Sequence, residues 1–149
     1  FFFPFHFMEL PSEFGYALVV CGLTTFVSTY GAMTVMSARK KYDVNYPHLY
    51  ASDKNPNADK FNCAQRAHQN TLENIAMVNI TMLMTAILYP KAAAAFGLIW
   101  CIGRCLYIHG YAHNGPEGRM LGALVSHLGD LPLFLMVIYT GCVMALGAK

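Results

Sequence analysis

The 149-residue chain is long enough for one domain, and 56% of its residues are hydrophobic while only 12% are charged. Soluble domains carry about a quarter charged residues, so this composition indicates a membrane protein. The formal net charge of +2 comes from localised basic residues rather than a basic face, so it gives no indication of a nucleic-acid partner, and none is expected. Five cysteines without a CxxC pair argue against a disulfide framework or a bound metal, and favour small buried side chains.

The chain opens with an aromatic segment, residues 1–7. This segment lacks the basic region and the small-residue cleavage site of a secretory signal. Met8 could be the true start, and residues 1–7 would then be an upstream extension or the remnant of a processed precursor. Residues 8–149 are predicted to form a single membrane domain.

Four apolar stretches are long enough to cross a bilayer core, which takes about 20 residues per helix. They cover residues 14–36, 70–89, 92–111 and 121–146, and a polar motif extends the second back to residue 61. Pro90 is expected to end the second stretch, with Lys91 in a short turn, and residues 114–116 are expected to stop the third. The predicted fold class is therefore all-α, with four membrane-spanning helices.

A polar loop, residues 37–60, joins the first two spans, with turns predicted at Tyr46-Pro47 and at 53–57. This loop and the one after the third span must lie on the same side of the membrane. That side collects Arg39, Lys40, Lys41, Lys54, Lys60, Arg66 and Arg119. The excess of cations predicts that both loops are cytosolic and that both termini lie on the opposite side.

Polar residues share one face at the start of the second span. Arg66, Asn70 and Glu73 are spaced i, i+4 and i+7, so a helix places them on one side. A cation, an amide and a carboxylate are costly near hydrocarbon unless something polar meets them. A neighbouring helix, another copy of the chain or a small charged ligand would each satisfy them.

The third span ends with a similar face. Arg104, Tyr107 and Tyr111 lie at i, i+3 and i+7, and the antiparallel path brings them to the depth of Arg66. Each part has a simpler interpretation: the basic residues after the first span could contact lipid head groups, the tyrosines could form an interfacial belt, and Arg66 could pair with Glu73. Their convergence favours an anionic ligand, because an excess of cations attracts an anion.

The fourth span carries His127 and Asp130 at i, i+3. An acidic group inside a span is a candidate functional site or partner contact. Its depth separates the pair from the cluster near Arg66, so a packing or partner-contact role is favoured.

These motifs resemble those of the MAPEG family, the membrane-associated proteins in eicosanoid and glutathione metabolism, and in particular its microsomal glutathione transferase type 3 branch. The resemblance rests on three runs: residues 39–42 (RKKY), residues 61–73 (FNCAQRAHQNTLE) and residues 107–111 (YIHGY). It extends over residues 8–146. It implies a four-helix bundle assembled as a homotrimer, with glutathione bound between adjacent subunits.

By this resemblance, glutathione would be bound by Arg39, Arg66, His68, Asn70, Glu73, Tyr107 and Tyr111. Arg119 matches, with one extra residue in the loop, the arginine thought to stabilise the glutathione thiolate. This sequence also departs from the family pattern. Asn74 stands where leukotriene-synthesising members have tyrosine, and Ile75-Ala76 replaces a Tyr-Pro that is frequent in the family. These differences bear on the choice of substrate.

Three functions fit the resemblance. The leading one is a glutathione-dependent transferase and peroxidase that acts on lipophilic electrophiles or lipid hydroperoxides arriving through the bilayer. Its expected location is the endoplasmic reticulum, or else a mitochondrial or other organellar membrane. The alternative is a non-catalytic accessory subunit of a larger membrane complex. A third is a binding module for lipid mediators, which would have no need of the full glutathione cluster.

Overall fold

A computed structural model describes residues 10–147, so the proposals for residues 1–7 and for Met8 as the start lie outside the described residues. The chain forms four helices: α1 (Phe14–Tyr42), α2 (Ala58–Ala86), α3 (Pro90–Gly118) and α4 (Met120–Ala145). The predicted all-α class and the order of four helices are confirmed.

Helix α1 is longer than the predicted span and takes the basic run Arg39, Lys40 and Lys41 into its last turn. Cations are favourable there, because the carbonyl end of a helix carries partial negative charge. Asp43 caps the end of the helix with a left-handed φ of 53°, and Val44 N donates to Arg39 O at 3.1 Å. The loop before α2 is therefore shorter than predicted, with turns at the expected places.

The prediction that Pro90 ends the second helix is wrong. Helix α2 stops at Ala86, residues 87–89 connect the two helices, and Pro90 is the first residue of α3. Proline suits this position because its missing N–H needs no partner in the first turn. Lys91 lies inside that first turn rather than in a connecting turn, and its Nζ lies 2.6 Å from Glu13 Oε1 beside the start of α1.

The predicted stop near residue 115 is a kink rather than an end. Gly115 has a φ of 72°, and helical structure resumes as far as Gly118 before α4 begins at Met120. The backbones of Gly110 and Gly118 approach so closely that a Cβ on either would overlap the other. The reversal between α3 and α4 is thus closed by direct backbone contact.

The two central helices, α2 and α3, each pack against all the others, whereas α1 and α4 do not meet in the described part of the chain. Helices α3 and α4 approach most closely. Gly103, Gly122 and Gly129 would each place a Cβ against backbone atoms of the facing helix. This glycine seam sets the register of α4 on α3.

The core between the helices is apolar. Its largest fully buried side chains include Trp100, Phe61, Met82, Ile108 and Leu133. Cys101 is buried as predicted for the cysteines, but Cys105 and Cys142 are exposed on the outer surface.

Three helices, α1, α3 and α4, are long and apolar enough to cross a membrane. They expose large apolar side chains such as Phe26 and Leu135, each 71% accessible, which is the surface that lipid would cover. Helix α2 has 29 residues, about 43 Å at the usual rise, but charged residues such as Arg66 and Glu73 interrupt it. The prediction of four spans is therefore confirmed for three helices.

Candidate functional site

The polar face predicted for α2 forms one surface. Arg66 Nη1 lies 3.5 Å from Glu73 Oε1, and Asn70 Nδ2 lies 3.4 Å from Glu73 Oε2. The side chains of Arg66 and Glu73 are 44% and 55% exposed in the single chain, so the protein does not enclose either group. The face can therefore exchange this ion pair for contacts with a ligand or another chain.

Arg104 of α3 joins this face from the interior. Its Nη1 donates to Asn70 Oδ1 at 2.8 Å, although the residue is only 3% exposed. Its guanidinium carbon lies 5.4 Å from the ring centroid of Trp100 and 5.0 Å from that of Tyr107. Cation–π contacts stabilise a guanidinium in such surroundings. Arg104 thereby holds the amide of Asn70 in a fixed position between α2 and α3.

The two tyrosines continue this series of contacts toward α4. The rings of Tyr107 and Tyr111 meet edge to face, with centroids 5.7 Å apart. Arg119, between α3 and α4, places its guanidinium carbon 4.9 Å from the Tyr111 ring centroid. Side chains from two helices and one turn are therefore linked from Glu73 to Arg119 at one end of the bundle.

Arg39 lies apart from this series. Its Nη1 donates to the carbonyl oxygens of Val44 at 3.3 Å and His48 at 2.8 Å, and its guanidinium covers the Tyr46 ring at 4.4 Å. These bonds tie the loop after α1 to the end of that helix. The structure thus places Arg39 in a loop-holding position and does not bring it to Arg66.

His68 also points away from the cluster. It lies about 200° around α2 from Arg66 and packs against Gly31 of α1, where a Cβ would lie 2.5 Å from His68 Nδ1. This nitrogen is buried and has no hydrogen-bond partner in the described structure. The predicted grouping of His68 with Arg66, Asn70 and Glu73 is not found within this chain.

Two contributors to the cluster lacked a predicted role. Gln69 Oε1 accepts a hydrogen bond from Arg66 Nη1 at 3.5 Å and another from the Tyr50 hydroxyl, so the loop before α2 helps to orient Arg66. The spacing of Arg104 to Tyr107 correctly placed both residues on one face of α3. The bond from Arg104 to Asn70 could not be predicted from spacing, because it depends on how α2 and α3 pack. An arginine far inside an apolar span was the available signal.

The His127–Asp130 pair forms as the i, i+3 spacing predicts. His127 Nδ1 lies 3.1 Å from Asp130 Oδ1. The Asp130 side chain is 3% exposed and the His127 side chain 56% exposed. A buried carboxylate therefore has an exposed imidazole as its hydrogen-bond partner.

The charges of the linked series are unequal. It contains three guanidinium groups, from Arg66, Arg104 and Arg119, and the carboxylate of Glu73. Such an arrangement is complementary to a small anionic ligand that also carries an ammonium group. The phenol rings between the cations supply apolar surface for the rest of such a ligand.

Two comparisons with known proteins show what this chain is similar to. The chain matches the family model described as "MAPEG family" over residues 17–139. It is also 29% identical over 123 residues to the uncharacterized protein sll1147 of Synechocystis sp. (strain ATCC 27184 / PCC 6803 / Kazusa), an alignment that covers 82% of this chain and 85% of that protein. The family match includes the series from Arg66 to Arg119. The chain therefore belongs to the MAPEG family.

Proposed function

We propose that this protein is a glutathione-dependent membrane transferase that also reduces lipid hydroperoxides. The MAPEG family includes glutathione-dependent transferases. The observation that carries the proposal is the linked series from Glu73 to Arg119, in which cations outnumber carboxylates at one end of the bundle. Glutathione, with two carboxylates and one ammonium group, has the complementary charge pattern.

In the proposed complex, Arg66 binds a glutathione carboxylate and Glu73 binds the ammonium group. Asn70, held by Arg104, bonds the peptide backbone, while Tyr107 and Tyr111 line the pocket. Supporting this assignment, the Arg66–Glu73 pair is half exposed and 3.5 Å long, so both groups can exchange partners at modest cost.

Arg39 and His68 would contribute indirectly in this subunit. Arg39 orders the loop that carries Tyr50, which in turn bonds Gln69 beside Arg66. His68 fixes the spacing of α2 against Gly31 of α1.

Arg119 is the proposed catalytic residue. Its guanidinium would stabilise the glutathione thiolate after the thiol proton leaves to solvent, because a nearby cation favours the ionised sulfur. The thiolate then bonds to an electrophilic carbon and displaces a leaving group. With a hydroperoxide, two glutathione molecules are oxidised to the disulfide while the peroxide is reduced to an alcohol and water.

The proposed assembly is a homotrimer in which α2 is the fourth membrane-spanning helix. Glu73, Met77, Ile80 and Met84 are exposed on one side of α2, and a charged group there favours contact with protein over lipid. A neighbouring copy would complete the glutathione pocket. The proposed location is the endoplasmic reticulum or another organellar membrane.

The second candidate is a non-catalytic subunit of a larger membrane complex. One observation favours it: Arg66 and Glu73 already neutralise each other, and Asn70 is bonded to both Arg104 and Glu73. A face satisfied in this way could contact another polypeptide without a ligand.

Calorimetry on the detergent-purified protein with glutathione distinguishes the two candidates. The transferase predicts saturable heat below millimolar glutathione, and competition by S-methylglutathione, which keeps the charges but has no free thiol. The accessory subunit would be favoured if millimolar glutathione gave no heat and no turnover was measured. It would also require that the protein co-migrates with large partners in mild detergent.

A further inference from the structure

Two buried ionisable groups lie on facing helices without a direct bond between them. Arg104 of α3 and Asp130 of α4 are 3% and 2% exposed. Among the described residues, Arg104 has no carboxylate within salt-bridge distance, and the only ion pair of Asp130 is with His127. Each charge is costly in an apolar interior unless an opposite charge compensates it.

The glycine seam places these groups near each other. Gly103 faces Ser126, and Gly129 faces Trp100. On these antiparallel helices, two residues at the same level therefore have numbers that sum to 229. Arg104 is then level with residue 125 and Asp130 with residue 99, an offset of five residues or roughly 7 Å along the axis.

Side-chain direction removes most of this offset. Helical side chains lean toward the N-terminus of their own helix. Arg104 is therefore expected to lean toward Trp100, and its guanidinium carbon lies between the ring centroids of Trp100 at 5.4 Å and Tyr107 at 5.0 Å. Asp130 on the antiparallel helix leans toward Ser126, which packs on Gly103. Both side chains therefore lean toward the same level of the glycine seam.

We propose that Asp130 is a positioning residue that keeps the Arg104 guanidinium inside the bundle and so holds Asn70 in place. At the low dielectric of the interior, opposite charges attract strongly even without a hydrogen bond. Without the carboxylate, Arg104 would be an uncompensated buried cation and would leave its position beside Trp100. Its 2.8 Å bond to Asn70 would then be lost. This inference rests on the proposed function only where glutathione binding is the readout.

Trp100 provides a readout that needs no ligand, because it is the single tryptophan of the chain and lies directly beside the Arg104 guanidinium. We expect Asp130→Asn to shift its fluorescence emission and Asp130→Glu to restore much of it. Thr140→Val is the matched control, since Thr140 is also a buried polar residue of α4 but lies ten positions further along. Its emission should equal that of the unaltered protein.

The binding readout tests the role of Asn70. Asp130→Asn should weaken glutathione binding roughly tenfold, the usual loss for a hydrogen bond to a charged group. Arg104→Gln should weaken it similarly, and the double variant should be no weaker than Arg104→Gln alone. His127→Gln, which keeps a donor beside Asp130, should change the affinity less than about twofold.

Additive losses in the double variant, or unchanged Trp100 emission in Asp130→Asn, would overturn the inference. Asp130→Ser serves as a second neutral variant if Asp130→Asn does not fold. If the unaltered protein binds no glutathione, the proposed function fails on its own. The Trp100 emission and the thermal stabilities of the same single and double variants then still decide whether Asp130 and Arg104 are coupled.

Discussion

Two arginines of the cluster differ in how completely the protein already satisfies them. Arg104 is buried, bonded to Asn70 and flanked by two aromatic rings. Arg66 is half exposed and holds Glu73 at 3.5 Å. A ligand can compete for a group of the second kind but not for one of the first. Arg104 is therefore a structural support for the site, and Arg66 is its contact surface.

Replacing Arg66 should weaken glutathione binding. Arg66→Ala removes one charge-assisted bond, for which we expect a loss of about 1.5–3 kcal/mol in binding free energy, measured by calorimetry in detergent. Lys60→Ala is the control, because Lys60 is also a cation of α2 but lies in its first turn. Equal affinity of the Arg66→Ala and unaltered proteins would contradict the assignment.

Glu73→Ala removes the partner of the glutathione ammonium group, which weakens binding. It also leaves Arg66 unpaired and free to bind a carboxylate, which strengthens binding. The net loss of glutathione affinity should therefore be smaller than the loss of the ammonium contact alone. The double variant Arg66→Ala with Glu73→Ala should nearly abolish binding, because both charged ends of glutathione lose their partners. Binding in the double variant equal to that of Arg66→Ala would show that Glu73 does not contact the ligand.

Arg119 should affect turnover more than binding. Arg119→Ala removes the cation proposed to stabilise the thiolate, so kcat should fall by roughly 10- to 1000-fold while the affinity for glutathione changes little. The thiolate absorbance of bound glutathione, followed against pH, provides the direct measurement. Full turnover in Arg119→Ala would transfer the catalytic role to another residue.

Among the elements, the course and packing of α3 depend on proline and glycine residues as much as on apolar ones. Pro90 opens it, Gly115 kinks it, and the glycine seam lets α4 approach its backbone. The closest contact is at Gly122, where a Cβ would overlap the backbone of Tyr107. Position 122 thus connects helix packing with the ring that contacts Arg104.

Enlarging Gly122 should separate α3 from α4. Gly122→Val inserts a side chain where backbone already lies, and we expect a loss of about 1–3 kcal/mol or more in stability. Gly141→Val is the matched control in the same helix, because a Cβ at Gly141 meets no atom within 4 Å. Thermal unfolding in detergent should show a lower midpoint for Gly122→Val only. A common midpoint would contradict the close packing.

Composition and periodicity predicted the helices but not the contacts between them. The four apolar stretches, and the shared faces of Arg66–Glu73 and of Arg104–Tyr111, follow directly from helical spacing. The destinations of Arg39 and His68 could not be predicted this way, because they depend on the loop and on α1. Pro90 was misassigned because proline both follows helices and begins them.

On the scale of the whole molecule, the described helices expose mainly large apolar side chains, and α2 adds a charged edge at Arg66 and Glu73. The edge lies on α2, which is not among the three helices long and apolar enough to span a membrane. A second copy of the chain is the proposed cover for this edge. Its presence can be measured without any ligand.

Native mass spectrometry of the detergent-purified protein should give a trimer. Ile80→Trp should lower the trimer fraction, because Ile80 lies on the exposed side of α2 and is 59% accessible in the single chain. Ile138 lies on the outer face of α4 and is 65% accessible. Ile138→Trp should leave the trimer fraction unchanged, since lipid accommodates an indole ring. A monomer in mild detergent would contradict the proposed assembly.

The backbone contact between Gly110 and Gly118 has a consequence for the cation that follows it. Arg119 stands directly after this closed reversal and against the Tyr111 ring, so the position of its backbone is set when α3 and α4 come together. The packing of two glycines therefore decides where along the bundle this positive charge is attached.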